Sequence, residues 1–224
     1  VRADFEELLA AANVEQQLVA PLARYGALVL EANRTFNLTG AKSAHEFAAH
    51  IVDSLTVAPF VGDTLVDVGS GAGLPAIPVA IATGVPITLI ESTWKKARFL
   101  RRMLETFELV GEVVAERAEI AAHNERLRDT FTSGTARAVS TAPTVAELLL
   151  PFIKPGGIAI VQRAAMDPRE RTALADAALM LAAEVDQERT LDGDRRVILV
   201  RKTGPTPSRF PRRTGIPEKR PLCM

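Results

Sequence analysis

Leu65-Val66-Asp67-Val68-Gly69-Ser70-Gly71-Ala72-Gly73-Leu74-Pro75 is the stretch whose reading decides the fold. Thr64–Val68 is a short apolar run suited to a buried strand, and Pro75–Thr83 reads as a helix with proline tolerated in its first turn. Between them lies a glycine-rich loop. Glycine has no Cβ to hold a ligand away from the backbone, and it adopts positive φ without strain. Open α/β sheets bind ligands beyond the carboxyl ends of their strands, which is where this loop falls. A G-x-G-x-G run alone also occurs in ordinary tight turns. Its place between a strand and a helix makes it a candidate site.

Outward from the loop, further strands are predicted over 86–90, 112–115, 135–139, 157–162, 185–190 and 196–201. Helices are predicted over 93–107, 144–150 and 168–183. Strands alternating with helices imply an α/β fold with a mostly parallel, seven-stranded sheet covered on both faces. The last two strands have no helix between them and predict an antiparallel hairpin turning at Asp192-Gly193-Asp194. Residues 1–60 have helical spacing throughout, with a capping-box pair at Ser43 and Glu46, and form an N-terminal helical cap. The expected organisation is a cap over 1–60, a ligand-binding α/β domain over 61–204 and a Pro-rich tail over 205–224.

The chain of 224 residues carries 27 Lys+Arg and 27 Asp+Glu. That neutrality hides an asymmetry. From Arg201 onward seven basic residues face Glu218 alone, a net charge of +6. One cysteine, Cys223, excludes an internal disulfide framework and any multi-cysteine zinc site, and three dispersed histidines do not make up for it. No metal is expected. Val68–Ile90 is free of charge over 23 residues, but Gly69, Gly71, Gly73, Pro75, Pro78, Gly84 and Pro86 break it into short elements, so no membrane span is expected. The acidic start, with Asp4, Glu6 and Glu7, is unlike a secretory signal, and a cytoplasmic location is expected.

The loop's ligand is chosen between a dinucleotide and S-adenosylmethionine. The dinucleotide fingerprint is G-x-G-x-x-G, and here the third glycine comes one residue early. Asp67, two residues before the first glycine, suits a methionine-type ligand. Glu91 closes the second strand, where a carboxylate accepts from ribose hydroxyls in either ligand class.

The chain resembles the GidB/RsmG family of bacterial 16S ribosomal RNA methyltransferases that modify a guanine at N7. The resemblance rests on Asn33-Arg34-Thr35-Phe36-Asn37-Leu38-Thr39 and His50-Ile51-Val52-Asp53-Ser54-Leu55, then on the Asp67–Pro75 loop, Arg98-Phe99-Leu100, Arg117-Ala118-Glu119 and Ala136-Arg137-Ala138-Val139. The glycine loop alone indicates a class I (Rossmann-like) methyltransferase; the other blocks, in this order, specify the family. Three departures stand out: Thr132 after Phe131, Gln162-Arg163-Ala164 at the end of the fifth strand, and Ala76 after Pro75.

The resemblance implies S-adenosylmethionine as cofactor and 16S ribosomal RNA or the small ribosomal subunit as partner. To the Asp67, Gly69, Gly71, Gly73 and Glu91 read from the loop and strand ends, it adds Leu74, Ala118, Glu119 and Arg137 as the expected cofactor site. An arginine within an apolar strand needs an anionic partner, and Asp67 or the cofactor carboxylate would serve Arg137. Guanine N7 has a lone pair and no proton to remove, so no catalytic base is nominated. Trp94 is expected either against the adenine or packed on the sheet. RNA contact is expected from Lys95, Lys96, Arg98, Arg101 and Arg102 on one helix, with a solvated face as the alternative. It is also expected from Arg209, Arg212, Arg213, Lys219 and Arg220 of the tail, where Phe210 would stack on a base. Deleting 205–224 would then weaken RNA binding alone. The rival functions are an NAD-dependent oxidoreductase and a non-catalytic ribosome-assembly factor on the same fold.

Overall fold

The computed structural model describes all residues except 138–139, 164–165 and 192–194. The apolar rhythm of the first sixty residues forms α1 (Arg2–Ala11), α2 (Gln16–Asn33) and α3 (Ala44–Leu55). Ser43 caps α3 by accepting from the Glu46 amide at 3.2 Å. The Glu46 carboxylate reaches one residue further back than a reciprocal cap would, to the Lys42 amide at 2.8 Å.

Strands and helices then alternate: β1 (Leu65–Val68), α4 (Ala76–Thr83), β2 (Ile87–Ile90), α5 (Trp94–Thr106), β3 (Gly111–Val114), α6 (Ala118–Ala121), β4 (Phe131–Arg137), α7 (Ala142–Leu149), β5 (Ile153–Arg163) and α8 (Pro168–Met180). β6 (Ala183–Thr190), β7 (Arg196–Lys202) and a short α9 (Ile216–Lys219) complete the chain. One seven-stranded sheet has the order β3-β2-β1-β4-β5-β7-β6. Its first five strands are parallel, and β7 runs antiparallel to both β5 and β6. The order reverses between β1 and β4, so the loop after β1 opens at the switch point where such sheets bind ligands. The predicted hairpin turn at 192–194 and the end of the predicted fourth strand, Ala138 and Val139, lie outside the described residues.

β4 starts four residues earlier than its apolar run suggested. Thr132 and Ser133 are polar, yet they fit because their side chains bond within the sheet. Thr132 exchanges bonds with Thr64, and the Ser133 hydroxyl, fully buried, donates to Thr64 O. Gly134 allows the strand to lie close to Val66, Leu149 and Ile153, since a Cβ there would approach all three within 3 Å.

The cap belongs to the sheet's own core. Phe5, Tyr25, Phe47 and Ile51 are buried in one apolar cluster with Leu65, Ile77, Leu89 and Leu100. The opposite face packs α7, α8 and the chain's end, with Phe210 and Leu222 inside. Phe210, expected to stack on a base, is only 2% exposed and is a core residue. The tail is thus a strap across the domain. The Arg128 guanidinium donates to the carbonyls of Thr206, Pro207 and Phe210. Lys202, 1% exposed, donates through Nζ to Asp129, Thr206 Oγ1 and the carbonyls of Leu150 and Ile153. Arg212 clasps Glu147, whose side chain is fully buried, through Nε at 2.9 Å, Nη2 at 2.6 Å and its own amide at 2.8 Å. The expectation that deleting 205–224 would weaken RNA binding alone is therefore corrected, because those residues supply core side chains and satisfy buried polar groups. Among the described residues no helix is long and apolar enough to cross a membrane.

Arg212→Met should destabilise the protein by about 3–5 kcal/mol, because it leaves the Glu147 carboxylate buried without its cation. Urea unfolding followed by circular dichroism checks this; a loss below 1 kcal/mol would mean the pair behaves like an exposed one.

Candidate functional site

The loop between β1 and α4 is built as its glycines require. Gly69, Gly71 and Gly73 all have positive φ, at 73°, 56° and 102°. A Cβ on Gly71 would meet no atom closer than 3.8 Å, so that side of the loop is open. A Cβ on Gly73 would come within 2.3 Å of Ile77, so that glycine serves close packing on α4. Glu91, 6% exposed at the end of β2, ties the loop to its neighbour. Its Oε2 accepts from the Gly71 amide at 2.9 Å, and its Oε1 accepts from the Thr93 amide at 2.7 Å.

Asp67 is the last but one residue of β1 and is fully buried. Its Oδ1 accepts from the Thr135 hydroxyl at 2.8 Å, while Oδ2 has no partner among the described residues. Loss of solvent raises its carboxyl to about 7, against the opposing hydrogen bonds of Thr135 and Ser70 and the nearby charge of Arg137. A buried acceptor without a donor is costly unless a ligand or water supplies one.

A cavity of about 230 Å³ lies beside the loop, lined by Val68, Gly69, Glu91, Ala118 and Glu119 among others. It brings together four of the expected cofactor residues, Gly69, Glu91, Ala118 and Glu119, from three separate connections. Gly71, Gly73, Leu74 and Asp67 belong to the same loop and strand but do not line this cavity. Glu119 is 4% exposed, and Arg117 grips it through Nε at 3.2 Å and Nη2 at 2.9 Å. The Gly215 amide donates to it at 2.9 Å. Burial pushes its carboxyl up, but these donors outweigh burial and hold it below the usual carboxylate range.

Arg137 stands apart from that cavity. Its Nη1 lies 3.2 Å from Asp53 Oδ2 and donates to His50 O at 3.3 Å. Its partner within the protein is thus a cap carboxylate from α3 rather than Asp67, one of the two partners expected. Asp53 also takes Arg195 Nη1 at 2.7 Å through Oδ1. Trp94 is 60% exposed and does not line the cavity, so it is not packed on the sheet; its ring lies under the Arg98 guanidinium at 5.1 Å. Arg163 donates to Ser140 O and to Glu170 at 2.8 Å, while Gln162 bonds the Asp53 carbonyl at 3.0 Å. Ala164 lies outside the described residues. Of the tail's cations, Arg212 is taken by Glu147, whereas Arg209, Arg213, Lys219 and Arg220 remain exposed.

Sequence reasoning missed three contributors. Tyr25, fully buried on α2, donates its hydroxyl to Ala72 O in the glycine loop at 3.0 Å. Burial pushes its phenol far above its ordinary value and keeps it a donor. Thr135 satisfies Asp67, and Glu218 of the tail lines the cavity. None has a local motif, since each partner is remote in sequence. A larger cavity of about 890 Å³ lies in the cap among α2 and the α2–α3 connection, away from the loop.

Strand order, switch-point loop and buried carboxylates define a class I methyltransferase fold. Solved structures agree on the fold. An O-methyltransferase from Bacillus cereus in complex with SAH superposes with a TM-score of 0.58 at 18% identity, covering 80% of this chain and 91% of that one. Mitomycin 7-O-methyltransferase MmcR superposes at 0.56 with 17% identity, over 83% and 72% of the two chains. The GidB family, described as rRNA small subunit methyltransferase G, matches residues 18–199. The Ribosomal RNA small subunit methyltransferase G of Leuconostoc citreum is 36% identical over 225 residues, 94% of each chain. That of Chloroflexus aggregans is 39% identical over 201 residues, 85% of this chain and 84% of its own. The chain belongs to the GidB family of small-subunit rRNA methyltransferases.

Asp67 gives the site a pH signature. The folded protein keeps a proton on this carboxyl up to about 7, whereas its ordinary value is 3.8. Between those two values the native state binds the extra proton, so this group's contribution to stability falls as pH rises through the window and is constant above it. Asp67→Asn should flatten that fall. Urea midpoints of wild type and variant across the window check it, and a constant difference between them would contradict the assignment.

Proposed function

We propose that this protein transfers a methyl group from S-adenosylmethionine to N7 of a guanine in 16S ribosomal RNA, and that it does so mainly by positioning. One observation carries the reading: a side-chain-free bend at the β1 tip meets two buried carboxylates, Asp67 and Glu91, beside a cavity at the sheet's switch point. The residues present fit the cofactor. Gly71 leaves open space for close backbone approach, and the unpartnered Oδ2 of Asp67 awaits a donor. Glu91 uses two of a carboxylate's roughly four acceptor positions on amides, leaving others for ribose hydroxyls. Ala118 and Glu119 form the adenine side, with Glu119 held ionised and oriented by Arg117 and Gly215. Leu74 and Gly73 fix how the loop enters α4, and Arg137, steadied by Asp53, presents a cation at the end of β4.

When bound, the cofactor supplies an already activated methyl on a sulfonium. N7 brings a lone pair and loses no proton, so the protein's task is to align the groups and exclude water. Tyr25 helps by holding the loop's Ala72 carbonyl from the cap side, which limits the loop's freedom before binding. The membership in an rRNA methyltransferase family favours this reading over the oxidoreductase and the non-catalytic assembly factor.

The decisive experiment maps N7-methylguanine in small-subunit rRNA from cells with and without the protein. The modification should vanish at one guanine when the protein is removed; an unchanged map would refute the substrate. Gly71→Val should abolish S-adenosylhomocysteine binding by calorimetry, because its side chain fills the open side of the loop, while strain at φ 56° costs stability only about 1–3 kcal/mol. Wild-type affinity in a folded variant would remove the loop from the cofactor site.

A further inference from the structure

The helix α5 is charged against its own local interests. Lys95, Lys96, Arg98, Arg101 and Arg102 crowd its first nine residues, and its first turn contains no acid. Cations at a helix N-terminus oppose the macrodipole, which favours anions there. Arg98 and Arg102 also repel each other at i,i+4 spacing. Elsewhere Arg117, Arg126, Arg163, Arg171, Arg201 and Arg212 each hold a carboxylate. Among the described residues, none of the five cations on α5 is in an ion pair, although Arg101 donates to Val113 O at 3.2 Å. A helix that tolerates such local conflict does so for a partner that relieves it.

The surroundings specify the partner. Lys95, Arg98 and Arg102, three and four residues apart, border a groove of about 420 Å³ between α2 and α5, in which Glu31 is the one acid. Phe36 and Phe99 line it with rings edge to face at 6.5 Å. Beside Lys95 in the chain and outside the groove's lining, Trp94 is 60% exposed, with the guanidinium of the groove residue Arg98 5.1 Å from its ring centre. Exposing the largest aromatic side chain beside a cation has no packing rationale, yet it matches how unpaired bases are held, by stacking on an aromatic plane with phosphates on nearby cations. The face also leads to the site. α5 begins three residues after Glu91, and both Glu91 and Ser92 line the cavity beside the glycine loop.

We propose that the α2–α5 groove carries an unpaired strand of the substrate RNA, its phosphates on Lys95, Arg98 and Arg102 and one base on Trp94. This rests on the RNA-methylating function given above and adds the path by which the strand reaches the cofactor cavity. A duplex keeps its bases stacked inside and offers none to Trp94, so the surface selects single-stranded segments.

Trp94 is the chain's single tryptophan, so its fluorescence reports on this surface alone. Titrating the full-length protein with an unpaired small-subunit rRNA oligonucleotide should quench that emission saturably; a fully paired duplex of equal length should not. The triple variant Lys95→Gln, Arg98→Gln, Arg102→Gln should bind the unpaired strand at least about 10-fold more weakly at physiological salt, with a log–log salt slope shallower by about 2. Its S-adenosylhomocysteine affinity should match wild type, since none of the three lines the cofactor cavity. Trp94→Phe should partly preserve the affinity that Trp94→Ala loses. Wild-type affinity and slope in the triple variant, or RNA binding without any change in emission, would overturn the groove assignment while leaving the methyltransferase reading intact. Equal quenching by duplex would overturn single-strand selection. If wild type neither binds nor methylates small-subunit rRNA, the functional reading itself fails and the groove assignment with it.

Discussion

The Glu91 carboxylate is the junction on which the site depends. One oxygen holds the Gly71 amide and the other holds the Thr93 amide, so a single buried charge fixes both the loop after β1 and the entry to α5. Charge-assisted bonds of this kind are stronger than neutral ones and hold backbone geometry tightly. The loop is gripped from the other side by Tyr25, whose hydroxyl reaches the Ala72 carbonyl. A flexible, glycine-rich segment therefore has both its donor and its acceptor groups engaged by rigid elements, which preorganises it for a ligand.

Around that junction charge is sorted by use. Acids that are buried have assigned donors: Glu119 has Arg117 and Gly215, and Glu147 has Arg212. Asp67 is the exception, with one oxygen orphaned and its proton retained to about 7. Buried polar groups left half-satisfied concentrate where ligands bind, because the ligand completes them. The cations follow the converse pattern. Those of the strap include Arg212, which serves the fold, while among the described residues none of the α5 cations has a carboxylate partner.

The strap changes what the basic chain end means. Its excess charge suggested an arm for RNA, but Phe210, Leu222 and Thr206 are buried and Arg128 binds three of its carbonyls. Its α9 adds Glu218 to the cavity wall, and its Gly215 amide orients Glu119. The strap thus contributes to the wall of the cavity beside the glycine loop, and its exposed cations Arg209 and Arg213 border the neighbouring surface.

The sequence by itself determined the sheet, its parallel-then-antiparallel character, the glycine loop and the helical cap. These follow from local rules: apolar period, turn chemistry and the absence of a Cβ where backbone must bend. The position of Glu91 at a strand end was equally legible, since strand length and loop length set it. Only the tertiary structure decided that Arg137 pairs with Asp53, 84 residues away, that Tyr25 holds Ala72 across 47 residues, and that Arg212 reaches Glu147 across 65. Such pairs leave no periodic trace, because their partners meet only after helices have packed on the sheet. Trp94 shows the same limit from the other side: the sequence left it between the adenine and the sheet, and only the packed molecule reveals a ring 60% exposed beside the Arg98 guanidinium. Local chemistry writes the elements, while long-range packing chooses which charges and rings are left for a partner.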